Sequence, residues 1–424
     1  MCILQMRVYQ LTGNGEKTLK HILSRSAETY LKKLCLELPG RVVGSQGNRM
    51  ATEFFADVTA SFGFQIQSSW FDCFDWHSER IQLTANGYSF KAFASPYTPG
   101  CRVEAPLAVV STPAELETAD LSGKIVLLFG EIAREQLMPK NFPFYNPEEH
   151  RRIIQLLETA KPQAIIAATS QDRMMAGGIS PFPLIEDGDF DIPSCYISEE
   201  EGKRLAQYIG QQVTLEIRAE RIPAQGCNVT ARKGNRADRR IVFCAHIDAK
   251  RGSPGAIDNA AGVAALLLLA ELLADYHGDL GIELLAINGE DYYSNPGEQR
   301  FLTDNAGHFN EIILGVNLDG AGYRKGKTAF SLYGCSDNLS ALIREIFSHH
   351  NNLIEGELWY QGDHALFVMN GIPALAFTSE KVTELMSQFV HTPQDQPQIV
   401  DADRLVEIAL ALHDLVMCLA RYQS

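Results

Sequence analysis

Ile241-Val242-Phe243-Cys244-Ala245-His246-Ile247-Asp248 is the stretch that decides the fold. Five apolar residues run without alternation and stop at a histidine. Such a run suits a strand buried on both faces, as in a parallel sheet. Two further runs repeat the design. Ile282-Glu283-Leu284-Leu285-Ala286-Ile287 leads through Asn288-Gly289 to Glu290-Asp291, and Ile312-Ile313-Leu314-Gly315-Val316-Asn317-Leu318 leads to Asp319. Ile372-Pro373-Ala374-Leu375-Ala376-Phe377 predicts a fourth strand, with Pro373 near its start. Between the first two runs, residues 259–276 are rich in Ala and Leu and apolar on almost every side, which predicts a helix lying on the sheet. Strand, helix, strand in that order implies a right-handed parallel crossover. The expected fold class is α/β, a mixed, mostly parallel sheet flanked by helices. Open α/β sheets collect ligands at the carboxyl ends of their strands, where His246, Glu290, Asp291 and Asp319 would emerge.

Gly255-Ala256-Ile257-Asp258-Asn259 and His391-Thr392-Pro393-Gln394-Asp395 add two more polar clusters. Singly, each cluster has a plain structural reading. Asp258-Asn259 before a helix is an N-cap, and Glu290-Asp291 and Asp319-Gly320 read as turns. Jointly, carboxylates and imidazoles gathered at strand ends are costly unless positive charge sits among them. A pair of divalent metals supplies it most simply. Zinc accepts imidazole nitrogen and carboxylate oxygen, and two zincs ~3.5–4 Å apart can share a carboxylate and a water. His246, Asp258, Asp291, Asp319 and His391 make five ligands, and one bridging carboxylate gives three per metal. Glu290 is left over, free to take a proton from water and pass it to a leaving amine. Asp248, two residues beyond His246, is placed to accept that imidazole's second N–H.

These motifs resemble the M28 family of zinc exopeptidases, the aminopeptidases and glutamate carboxypeptidases built on one α/β core. The resemblance implies two Zn2+ per chain, one held by His246, Asp258 and Asp319, the other by Asp258, Asp291 and His391. It also implies Glu290 as the general base on a metal-bridging water, with Asp248 orienting His246. Gly362-Asp363-His364, followed by Gly371-Ile372-Pro373-Ala374, is similar to a family segment near the substrate pocket. Asp363 and His364 are therefore substrate-binding candidates. The family more often has Glu where this chain has Asp291. Several members carry Tyr, where its hydroxyl can stabilise the oxyanion, at the position of Val390. Tyr360 is a candidate substitute, with Tyr292 and Tyr323 also near the motifs. The implied reaction is hydrolysis of terminal peptide bonds, aminopeptidase action first. A carboxypeptidase or dipeptidase would need a cation for the substrate carboxylate, for which Arg300, Arg324 and Lys325 are the candidates. A single-zinc glutaminyl cyclase and a catalytically inert binding protein are the remaining alternatives.

The first half is organised differently. Residues 16–40 and 46–62 carry helical patterns, with Pro39-Gly40 as a stop between them. Phe64-Gln65-Ile66-Gln67 begins a strand, and residues 81–90 read as a hairpin around Asn86-Gly87. Strands at 123–129 and 164–168 flank a helix at 153–160, and 191–197 leads into a helix around 202–205. Leu121-Ser122-Gly123-Lys124-Ile125-Val126 and Ile192-Pro193-Ser194-Cys195-Tyr196-Ile197-Ser198 resemble a protease-associated (PA) domain, a β-rich insert. That likeness implies a discontinuous peptidase domain, 1-79 plus 221-424, around an insert at 80-220. Gly226–Ala231 would be the first strand after the insert.

Composition sets the bounds. A chain of 424 residues accommodates two domains. The net charge of −15 comes with no basic run, which argues against nucleic acid as a partner. No segment approaches the ~20 apolar residues of a membrane helix, and Met1–Met6 is too short an apolar stretch for a signal peptide. Nine cysteines without a C-x-x-C pair fit a reduced, cytoplasmic protein. The expected partner is a peptide or a small amino-acid-derived substrate. The oligomeric state is not legible.

Overall fold

In the computed structural model, residues 13–38, 40–171, 176–236 and 238–421 are described. Met1–Met6 and Pro39, both used in the sequence reading, lie outside them. Arg240–His246, Gly281–Ile287, Ile312–Leu318 and Ala374–Ser379 form the parallel centre of one large sheet. Ile312–Leu318 lies between Ala374–Ser379 and Arg240–His246, and Gly281–Ile287 flanks the latter on its other side. Every residue of Arg240–His246 and Gly281–Ile287 is buried. That two-sided burial is why these strands read as apolar runs rather than alternating ones. The fourth strand begins at Ala374, two residues later than the sequence suggests. Pro373 has no N–H for the ladder, and its carbonyl instead accepts Gly315 N at 2.9 Å. Thr328–Tyr333 runs antiparallel to Ala374–Ser379, and Leu353–Glu355 pairs with its far side.

The helix expected at 259–276 is Ala261–Leu272, with residues 261–270 all buried. Its start is delayed because Asp258 and Asn259 have non-helical backbone angles. Asn259 then caps the helix: its Oδ1 accepts Gly262 N at 3.0 Å while its Nδ2 donates to Leu318 O at 2.7 Å. Ala402–Arg421 and Gly13–Lys32 pack beside this helix in the main core.

Two strands are far longer than expected. Gln65–Ala85 and Gln212–Lys233 pair antiparallel along nearly their full length, with a register shift between Ser78 and Arg80. Residues 65–67 and 81–85 therefore contribute to a single strand, and Gly226–Ala231 lies inside Gln212–Lys233 rather than starting a new one. The Lys233 end of this ribbon pairs with Gly281–Ile287. The other end pairs with Cys101–Val110, from which Ile125–Phe129, Ala164–Thr169 and Ser194–Ser198 extend the sheet in parallel. The boundaries near 79 and 221 thus cross both strands mid-length. Residues between 81 and 219 nonetheless build apolar clusters of their own, one around Val126, Ile165 and Phe182, the other around Leu127, Ile166 and Leu215. The Asn86-Gly87 hairpin is as expected, with φ of 48° and 82° in a two-residue turn. Among the described residues, no helix is long and apolar enough to cross a membrane.

Candidate metal centre

The strand ends gather five side chains into two triads. His246, Asp258 and Asp319 form one; Asp258, Asp291 and His391 form the other, and within each the ligand atoms lie within 4.8 Å of one another. Asp258 belongs to both. Its Oδ1 lies 3.0 Å from His246 Nε2, and its Oδ2 lies 3.2 Å from His391 Nε2. Asp291 Oδ1 is 2.9 Å from His391 Nε2, and Asp319 Oδ1 is 3.7 Å from His246 Nε2. His246 closes its strand, and Asp319 follows Leu318 directly. Asp291 sits in the turn after Ile287, whereas His391 occupies a turn with φ +65° beyond the helix Val382–Gln388.

Backbone bonds hold the triads in place. Asp248 was expected to receive the second N–H of His246. Its Oδ1 stands 3.6 Å from Nδ1, outside hydrogen-bond range. Its carboxylate instead accepts Gly289 N at 2.8 Å and Asp291 N at 3.1 Å, so Asp248 ties the His246 loop to the Glu290-Asp291 turn. Two further residues were given no role from the sequence. Asp395 accepts Ile257 N at 2.7 Å and Asp258 N at 3.1 Å and so shapes the shared-carboxylate turn. Arg41, 1 % exposed, donates to the carbonyls of Leu34, Ile247, Pro254 and Gly255 at 2.7–2.9 Å. Three of its four bonds fix the loop that separates His246 from Asp258, and the fourth ties that loop to Leu34. The Asp395 signal was visible in the quoted cluster. An arginine between Gly40 and Val42 gives no comparable sign of burial.

The residues fit divalent metal on two grounds. Imidazole nitrogen with carboxylate oxygen is a zinc donor set. Moreover, among the described residues, both ring nitrogens of His246, Nδ1 of His391 and Oδ2 of Asp291 are buried without a hydrogen-bond partner, and orphaned polar atoms at such density call for a ligand. Electrostatics agree. Burial opposes charge on His246, but Asp248, Asp258 and Asp319 outweigh it and hold the imidazole well above its ordinary pKa. Against the same burial, His391 is held up at about 10 by Asp291 and Asp258. Burial lifts Glu290 well above the usual carboxylate range, and Asp319 and Asp291 add to it against the pull of His246. A cluster this acidic is thus short of positive charge without its cations.

A cleft of about 340 Å³ opens over Glu290, Asp291 and His391. Leu137, Met138, Pro139, Phe142, Phe144 and Tyr145 line it, as do Tyr333, Tyr360, Val368 and Met369. Glu186 and Glu298 also line it, as does Lys250, whose Nζ is 3.0 Å from Glu186 Oε1. Of the substrate-binding candidates, Tyr360 is 74 % exposed at the rim. His364 lines the cleft, its ring against Trp359 and Tyr333 and its Nε2 2.8 Å from Trp359 O. Asp363 is buried and does not line the cleft. Tyr292 lines it, but its hydroxyl is held by Phe74 N and O at 2.7 Å. Tyr323 bonds Glu384 at 2.7 Å, away from the cleft. Arg300, Arg324 and Lys325 are also elsewhere: Arg300 pairs with Asp304 at 2.8 Å, Arg324 with Val400 O at 3.2 Å, and Lys325 lies 4.0 Å from Glu384.

The chain is similar to several known proteins. Aminopeptidase YwaD of Bacillus subtilis is 24% identical over 300 residues, 68% of this chain and 60% of its own length. This chain thus spans about 60% of that relative. The fold is shared with an aminopeptidase from Aneurinibacillus sp. strain AM-1 (TM-score 0.72, 21% identity, 94% of this chain and 93% of that one). It is shared equally with BSAP, a zinc aminopeptidase from Bacillus subtilis (TM-score 0.71, 18% identity, 93% and 94%). The sequence profile of peptidase family M28 matches residues 228–416, the stretch that carries both triads. That match covers somewhat under half of the chain.

Proposed function

We propose that this chain is a two-zinc exopeptidase that removes residues from peptide N-termini. The observation that carries the reading is the pair of triads sharing Asp258. In it, His246, Asp258 and Asp319 hold one zinc, and Asp258, Asp291 and His391 hold the other. Bound zinc would supply Lewis acidity, lowering the pKa of water and polarising the scissile carbonyl. Glu290 takes the proton of the attacking water and delivers it to the departing amine. Its place next to Asp291 in the cleft suits that role, because a base must stand within reach of the water whose proton it takes. Asp248 keeps Asp291 and Glu290 in register through the backbone.

The polarity of the cleft supports aminopeptidase action. Glu186, Glu290, Asp291 and Glu298 line it, and its lysine is already paired with Glu186. Among the lining residues this leaves a substrate carboxylate without a cationic side-chain partner, whereas carboxylates are at hand for a substrate ammonium. The cations a carboxypeptidase would use, Arg300, Arg324 and Lys325, do not line the cleft. The apolar walls suit an N-terminal residue with a large apolar side chain. Residues 80–220 are read as a PA-like insert, supported by their separate apolar clusters and by the share of the cleft wall built from 137–145. The cysteines among the described residues are free, which supports a reduced, cytoplasmic setting.

The test is Glu290→Gln with metal analysis. Zinc should stay at two per chain while turnover of an aminoacyl anilide falls by about 10²–10⁴. An N-acetylated substrate should not be cleaved by the unmodified enzyme. Near-normal turnover by E290Q removes the proposed base. One zinc per chain, with ammonia released from an N-terminal glutamine, points to a glutaminyl cyclase instead.

A further inference from the structure

We infer that Gly177 and Gly178, from the 80–220 segment, are positioning residues for His391 and so for one of the two metals. The inference rests on the two-zinc reading of the triads. Gly178 N donates to Val390 O at 3.0 Å. That single bond brings the backbone of 177–178 against the turn that carries the histidine. The approach is too close for side chains. A Cβ on Gly177 would lie 2.7 Å from Val390 O and 3.2 Å from His391 Nδ1, and one on Gly178 would lie 2.8 Å from Thr392 Cγ2. Only glycine admits contacts of this kind.

The turn needs outside support. His391 has φ +65°, a left-handed conformation that a non-glycine residue adopts only when its surroundings impose it. Phe389 O accepts Thr392 N at 3.0 Å, and Leu385 O accepts Val390 N at 3.0 Å, both from within the same segment. The bond from Gly178 arrives from a different region, across more than 200 residues of sequence. Among the described residues, His391 Nδ1 is buried without a hydrogen-bond partner, so none of their carboxylates or carbonyls orients this ring. Metal-ligating histidines are ordinarily oriented through that second nitrogen. Here the orientation comes from the turn backbone, and the turn is clamped by the glycine pair. His246 has no such neighbour, because it closes a central strand. The clamp therefore acts on the His391 triad alone.

The experiment titrates Zn2+ into the metal-stripped full chain by calorimetry, for wild type, Gly178→Ala, Thr392→Ser and the double variant. Wild type should bind two equivalents. G178A should weaken one site by about 10–100-fold and leave the other within about twofold. T392S removes Cγ2, the atom that the new methyl would strike, while keeping the hydroxyl. Added to G178A, it should return the weakened site to within about threefold of wild type. Thermal melts of the stripped proteins report folding. If G178A does not fold, G177A, which presses on Val390 O instead, carries the same expectation. Equal weakening of both sites, unchanged binding, or no rescue by T392S overturns the inference. One equivalent or none in wild type overturns the two-zinc reading itself.

Discussion

Replacing Arg41 by Leu should destabilise the fold and loosen the metal centre together. The guanidinium donates to four carbonyls, those of Leu34, Ile247, Pro254 and Gly255, at 2.7–2.9 Å. Leucine fills part of the volume and offers no donor. Three buried carbonyl oxygens and the part-buried one of Pro254 then lose their partner, at about 1–3 kcal/mol for each buried one. Part of that loss is refunded, since a guanidinium no longer has to be desolvated. A net cost of about 4 kcal/mol results, large for a single substitution. Two of the four carbonyls, Pro254 and Gly255, lead directly into the turn that presents Asp258. Zinc affinity should therefore fall as well, at both sites, because Asp258 belongs to both triads. Arg41→Lys keeps the charge but cannot reach four acceptors from one ammonium, so it should lose about half as much. Urea denaturation of the metal-stripped variants measures the first effect, and zinc titration measures the second. A loss under about 1 kcal/mol for R41L, with zinc binding unchanged, refutes the claim that Arg41 organises the loop.

Three further outcomes are expected. His364 is buried and its pKa is pulled down to about 4. The neutral form belongs to the native state, so its contribution is present above 6.5 and is lost as pH falls through 4; H364Q should remove up to about 3 kcal/mol of the acid sensitivity seen by urea denaturation between pH 7.5 and 4. Asp363 runs the other way: burial pushes it up to about 6, so its contribution is present below 3.8 and lost as pH rises through 6. D363N should gain about 2 kcal/mol at pH 8, and a loss there would show that the carboxylate is paired in the native state. Removing zinc with a chelator should lower the melting temperature, since zinc at about 1,000 times its Kd stabilises by about 4 kcal/mol per site. Zinc should restore the melt fully in wild type and only in part in His391→Ala; full restoration in H391A removes His391 from the ligand set.

What the sequence shows and what it hides follow from one physical distinction. The centre of the sheet is legible because strands buried on both faces have no alternative to an apolar run, and the ligands stand next to those runs in the chain. His246, Glu290, Asp291 and Asp319 are found by reading forward from a strand end. The long ribbon is hidden for the opposite reason. Gln65–Ala85 is mostly exposed in its first half, so nothing forces its residues to be apolar, and Asp72, Asp75, His77 and Glu79 interrupt any apolar pattern. Its partner strand contains Pro223, which is exposed, and Gly226, where a Cβ would lie 2.7 Å from the Phe71 ring; both residue types argue against a strand when read in the sequence. Arg41 and Gly178 mark the second limit. Both act on a ligand loop through backbone atoms more than 200 positions away in the chain, and a carbonyl oxygen carries no residue identity that a motif could record. The residues that do chemistry are therefore written locally, whereas those that aim them are written only in the fold. Substitutions that spare every ligand can still empty a metal site, and the Gly178 and Thr392 pair is where this chain offers that to measurement.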